Sequence, residues 1–220
     1  MSVWAILAAA GRGERLGEDR PKAFVKLGGR ALLAESLERL ESSTWIDAIV
    51  VVAPEGWEEA AILLAEELGC GKVVACVTGA DERSGSVRVG LAEVPADAAV
   101  TLVHDAARPL VPESVVERVL TGLGGAWDGA VPCLPLVDTV KRVSDDAVLE
   151  TLERDRLVAV QTPQAFVGSV LREAYAGTLA AGDCASLVER RGGRVRVVEG
   201  DRRLLKVTTR DDLEQVEAWL

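Results

Sequence analysis

Apolar positions along the chain fall into two alternating patterns. Residues 3–8 (Val-Trp-Ala-Ile-Leu-Ala), 48–53 (Ala-Ile-Val-Val-Val-Ala), 72–77, 99–103 and 129–134 are short apolar runs. Runs of this length, apolar on both faces, match buried strands of a parallel sheet. Helical spacing fills the gaps: in residues 31–40, Leu33, Leu37 and Leu40 share one face. Residues 55–68 predict a helix closed by Gly69, and 84–93 predict another. A further helix follows Pro112, a residue suited to a first helical turn. The alternation predicts an α/β fold, with a doubly wound, mostly parallel sheet, helices on both faces and right-handed crossovers.

The rhythm breaks near residue 135. Residues 136–143 and 147–152 alternate in polarity around Ser144-Asp145-Asp146, a turn signal. They predict a β-hairpin over 136–152. A lone hairpin is marginal in water, so a partner subunit is expected to support it. Helices over 167–179 and 184–191, a strand over 194–198 and a helix over 210–220 complete the expectation. With no repeats or linkers, residues 1–220 read as a single domain without a second, fused activity.

Composition narrows the function. The length, 220 residues, suits one domain by the rule of ~150 residues each. The net charge of −10 excludes a nucleic-acid or anionic-membrane surface spread over the whole protein, but not a basic pocket. Four cysteines (Cys70, Cys76, Cys133, Cys184) form no CxxC pair, so free thiols are expected rather than a zinc site. The single histidine, His104, excludes multi-histidine metal centres and reads as structural. No basic segment precedes the first apolar run, and no run reaches ~18 apolar residues. A cytoplasmic location is expected.

Three segments carry candidate chemistry. The first follows the first strand: Ala9-Ala10-Gly11-Arg12-Gly13-Glu14-Arg15-Leu16-Gly17. Its glycine spacing is wrong for the dinucleotide fingerprint, and no Gly-Lys-Ser/Thr makes it a P-loop. Arg12, Arg15, Arg20, Lys22 and Lys26 outnumber Glu14, Glu18 and Asp19, which suits a polyphosphate held by fixed cations. The second, Val103-His104-Asp105-Ala106-Ala107-Arg108-Pro109, ends the fourth strand. Its Asp105 can share Mg²⁺ with substrate phosphates or cap a turn. The third, Gly79 to Val87, suits a nucleobase or ribose, or is an ordinary helix start capped by Ser84 or Asp81.

In this order, AAGRGERLG with PK, GADERSGSV, VHDAARP, DTVKR, QTPQ and KVT resemble the 2-C-methyl-D-erythritol 4-phosphate cytidylyltransferases of the non-mevalonate isoprenoid pathway. The matching segments run from residue 9 to residue 208. The resemblance implies a nucleotide-diphospho-sugar transferase-like fold whose protruding β-hairpin arm, at about 136–155 here, clasps a second subunit. It implies transfer of CMP from CTP to the acceptor phosphate, with release of pyrophosphate and Mg²⁺ or another divalent cation as cofactor. Carried over by position, it implies Arg15, Lys22 and Asp105 as catalytic, with Asp105 on the metal. It implies Ala9, Ala10, Gly11, Gly13, Ala80, Asp81 and Ser86, with Arg15 and Lys22, around CTP. It implies Arg108, Thr139, Arg154, Thr162 and Lys206 around the acceptor, with Thr139 and Arg154 reaching a neighbouring subunit. Two departures touch the acceptor edge: Gly182 stands where members carry threonine, and Arg203-Leu204 where they carry Glu-Asn. The alternative is a cytidylyltransferase for another polyol phosphate, such as ribitol 5-phosphate.

Overall fold

The computed structural model describes residues 1–177 and 182–220. Strand β1 (Val3–Ala8) opens the chain. A small ribbon, β2 (Lys26–Leu27) and β3 (Arg30–Ala31), turns through Gly28 and Gly29, both at positive φ, into helix α1 (Leu32–Ser42). Next come β4 (Ala48–Ala53), α2 (Glu58–Glu67), β5 (Val73–Thr78), α3 (Arg83–Glu93), β6 (Val100–Asp105), α4 (Glu113–Thr121) and β7 (Gly129–Pro135). The hairpin β8 (Lys141–Ser144) and β9 (Ala147–Thr151) is followed by β10 (Val158–Val160) and β11 (Gln164–Val167). Helices α5 (Gly168–Tyr175) and α6 (Cys184–Arg190), strand β12 (Val195–Glu199) and helix α7 (Arg210–Glu217) complete the order.

Among the described residues, the main sheet has eight strands. Strands β5, β4, β1 and β6 are parallel neighbours. Strand β11 runs antiparallel between β6 and β7, β10 is also antiparallel to β7, and β12 joins β7 in parallel. Both faces are covered. Ala5, Leu7, Ile49 and Val51 meet the apolar faces of α1, α2 and α4, whereas Ile6, Val50 and Val52 meet α3, α5 and α6. This two-sided burial is why the central strands read as unbroken apolar runs. Helix α7 adds a smaller cluster, where Leu213 and Val216 pack with Leu16, Leu27 and Leu32.

Three details differ from the sequence reading. Residues 158–167 supply two antiparallel strands rather than a plain connection. The helix expected from residue 167 starts at Gly168, because Val167 ends β11. A Cβ on Gly168 would lie 2.1 Å from the Ala98 carbonyl oxygen, so this junction takes only glycine. The last expected residues of that helix, Thr178 and Leu179, lie outside the described residues. The expected cap by Ser84 or Asp81 is also not formed: Glu82 holds the N-cap of α3 without a side-chain cap bond. All four cysteines are free.

Candidate active site

Strand register gathers the three segments at one sheet edge. Ala8, the last residue of β1, lies level with Asp105 of β6 and Val52 of β4, and Ala53 lies level with Thr78 of β5. The loops leaving β1, β5 and β6 therefore emerge side by side at the carboxyl ends of parallel strands, the usual ligand position in such sheets.

The glycine loop folds back on the Pro21-Lys22 segment. Lys22 N donates to the Gly11 carbonyl at 3.3 Å. Gly13 has φ +75°, and a Cβ there would stand 2.8 Å from Lys22 Cβ. Glycine is thus required by both conformation and close approach. Gly79 plays the same part between loops, since its Cβ would fall 2.2 Å from Ala10 Cβ. The Ser86 hydroxyl braces the Ala80 peptide, accepting from its N–H and donating to its carbonyl, each at 3.0 Å. The result is a cavity of roughly 160 Å³ whose walls include Ala10, Gly11, Lys22, Ala80, Ser86 and Asp105.

Asp105 lies between two cations. Arg83 Nε and Nη2 both reach its Oδ1 at 2.8 Å, and Lys206 Nζ reaches Oδ2 at 2.7 Å. Burial alone would raise the pKa of this carboxyl, but Arg83 and Lys206 outweigh burial and hold it well below the usual carboxylate range. Behind Arg83, its Nη1 contacts Cys184 Sγ at 3.6 Å, and Tyr175 Oη lies 3.1 Å from the same sulfur. Burial raises the Cys184 pKa, so the group there is a thiol. The Lys22 pKa is also lowered, by burial first and then by Lys206 and Arg15, which for an amine disfavours the charged form. Cations held this close repel one another and favour an anionic ligand.

A second cavity of roughly 540 Å³ opens beside the first, lined by Arg108, Val160, Gln161, Leu204, Lys206 and Trp219 among others. Lys206 belongs to both cavities. Arg108 braces the second by donating to the carbonyls of Leu204 and Val160. His104 is fully buried beneath this loop. Its Nε2 lies 3.1 Å from the Arg108 carbonyl oxygen and its Nδ1 3.1 Å from Thr162 Oγ1. Thr162 Oγ1 also accepts from the Asp105 N–H at 3.1 Å. Burial lowers the His104 pKa to about 4, against the pull of Asp105.

The family model for 2-C-methyl-D-erythritol 4-phosphate cytidylyltransferase (IspD) matches residues 3–220. The chain belongs to this family. It is 46% identical to the cytidylyltransferase of that name from Nocardia farcinica over 220 residues, 100% of this chain and 94% of that protein. It is 45% identical to the one from Saccharopolyspora erythraea, covering 100% of both chains. Among solved structures, 4-diphosphocytidyl-2C-methyl-D-erythritol synthase from Anaerococcus prevotii matches with TM-score 0.86 at 28% identity, over 99% of this chain and 95% of that one. The Thermus thermophilus cytidylyltransferase matches with TM-score 0.80 at 32% identity, over 100% and 98%.

Within this cytidylyltransferase chain, the expected residues divide three ways. Ala9, Ala10, Gly11, Lys22, Ala80, Asp81, Ser86, Asp105 and Lys206 all line the first cavity, and Arg108 lines the second. Arg15 stands exposed on the short turn Glu14–Leu16 and lines neither, although Lys22 feels its charge. Thr139 and Arg154 are exposed on the arm, where Arg154 bonds the Val137 carbonyl, and they line neither cavity of their own chain. Thr162 is buried beneath the site and lines neither cavity. Space is open around Gly182, and Leu204 is fully buried in the core. Arg83 is the residue the sequence reading passed over. Its signal, an arginine at a helix start among small residues, gives no hint of a partner 22 positions away.

Proposed function

We propose that this chain transfers the cytidylyl group of CTP to 2-C-methyl-D-erythritol 4-phosphate and releases pyrophosphate. The observation that carries the reading is the pair of adjoining cavities joined at Lys206, with Asp105 and Lys22 at the first and Arg108 at the second. A nucleotide fits the glycine-loop side, with its base against the Ala80 and Ser86 wall and its phosphates toward Lys22 and Arg15. A polyol phosphate fits the Arg108 side, so that its phosphate meets the α-phosphorus beside Lys206.

The chemistry needs no base. A phosphate monoester has a second pKa of ~6 and is mostly a dianion at neutral pH. One of its oxygens forms a bond to the α-phosphorus of CTP while the bond from that phosphorus to the bridging oxygen breaks. Pyrophosphate leaves with the electron pair. The barrier is the approach of two anions, which Lys22, Arg15 and Lys206 offset with fixed positive charge. Among the described residues, no group of three or more His, Cys, Asp or Glu forms a cation cage. That donor set fits an ion carried mainly by triphosphate oxygens, with Asp105 as the carboxylate sharing it. Asp105 would hold such an ion together with substrate phosphate oxygens, and the ion would supply positive charge against the phosphates.

Thr139 and Arg154 would serve the acceptor pocket of a second copy, placed there by the arm. The test is pyrophosphate release with Mg²⁺, CTP and 2-C-methyl-D-erythritol 4-phosphate, run beside ribitol 5-phosphate and the other three nucleoside triphosphates. Turnover is expected only with CTP and the methylerythritol phosphate. Turnover with ribitol 5-phosphate instead would move the error to the acceptor pocket alone.

A further inference from the structure

We propose that His104 is a positioning residue for this reaction, acting through the Thr162 hydroxyl and the Arg108 carbonyl on the loop that presents Asp105 and Arg108. The hydrogen-bond directions follow from what each atom can do. The Arg108 carbonyl only accepts, so Nε2, 3.1 Å away, carries the ring proton. In the neutral ring Nδ1 then accepts, and its partner at 3.1 Å, the Thr162 hydroxyl, donates. The same hydroxyl oxygen accepts the Asp105 N–H at 3.1 Å. A relay therefore runs from the Asp105 peptide through Thr162 and the ring to the Arg108 carbonyl. It ties together both ends of the turn between the shared carboxylate and the second cavity.

The relay also restricts Thr162. With its proton given to the ring, the hydroxyl has none left for a phosphate oxygen. Thr162 then acts by holding Asp105 rather than by touching the acceptor phosphate, and recognition of that phosphate falls to Arg108 and Lys206. The inference rests on the proposed reaction, but its first test does not. The chain has a single histidine, so a ¹⁵N imidazole spectrum at neutral pH reports this ring alone. A neutral Nε2–H tautomer is expected, with the Nδ1 resonance moving in Thr162→Val. A neutral Nδ1–H ring or a charged ring overturns the relay whether or not the chain turns over CTP.

Kinetics supply the second test. Thr162→Val removes the hydroxyl at similar volume, and Thr162→Ser keeps it. His104→Gln keeps a donor near the Arg108 carbonyl while removing the Nδ1 acceptor. Thr162→Val and His104→Gln are each expected to lower kcat by about 10-fold or more through misplacement of the loop, with KM for the acceptor little changed. Thr162→Ser should stay near the parent, and the double variant should be no worse than the poorer single one. Thr162→Val with parental kcat, a rise confined to acceptor KM, or losses that multiply in the double variant would each overturn the proposal. If His104→Gln does not fold, the two threonine variants and the spectrum decide the matter without it.

Discussion

Asp105 keeps its negative charge where water gives it little support, because Arg83 and Lys206 occupy one carboxylate oxygen each. The pair of cations leaves net positive charge facing the first cavity, and Lys22 and Arg15 add to it. Arg15→Ala and Lys22→Ala should therefore lower kcat far more than they raise KM for the sugar phosphate, by ~10²-fold each. Steady-state rates near the parental value for both would refute that assignment. Residue-level electrostatics also set a pH dependence. The native His104 pKa lies at about 4, below its ordinary 6.5. Between those values the unfolded chain binds a proton that the native chain refuses. The contribution of His104 to stability is thus complete above pH 6.5 and is lost as pH falls toward 4. Urea unfolding should show a slope of about 1.4 kcal/mol per pH unit between pH 6 and 5, and a flat line there would contradict it. The glycine loop and Asp105 were legible because glycine spacing and a carboxylate at a strand end are local signals. The Arg83 fork was not, because its partner lies on another element.

The arm shows what an element requires beyond its own sequence. Val143, Val148 and Leu149 are 59%, 60% and 60% exposed on a hairpin whose every residue faces solvent in the single chain. One cross-strand ion pair, Arg142 to Glu150 at 2.8 Å, is worth little at such a surface. A second copy covering the hairpin is the arrangement that would hold it. Replacing residues 141–151 with a short Gly-Ser turn should give a monomer in sedimentation and abolish acceptor turnover while leaving CTP binding intact. Arg154→Ala should weaken acceptor binding more than CTP binding in calorimetry, and equal losses would count against the arm. The hairpin was readable from its alternation and turn residues. Strands β10 and β11 were not. Val158–Val160 is only three residues long, the polar Gln161-Thr162-Pro163-Gln164 segment follows, and the apolar run of β11 merges with that of α5.

At the scale of the molecule, an acidic chain of net charge −10 concentrates its useful cations at one sheet edge. The parallel half of the sheet, read from unbroken apolar runs, positions the first cavity. The antiparallel half, which those runs did not reveal, forms one side of the second through Val160 and Gln161. Helix α7 closes the far side. Its capping box at Thr209 and Asp212 fixes its start, and Glu217 accepts the Gly28 N–H at 3.0 Å near its end. Trp219, just past α7, is thereby held at the wall of the second cavity. The chain has five tryptophans, and Trp219 is the one that lines either of these two cavities. The protein thus carries its own optical probe. Acceptor entry should alter indole emission in the absence of any turnover, Trp219→Phe should silence the change, and fluorescence titration can then time the acceptor's arrival independently of the bond it makes.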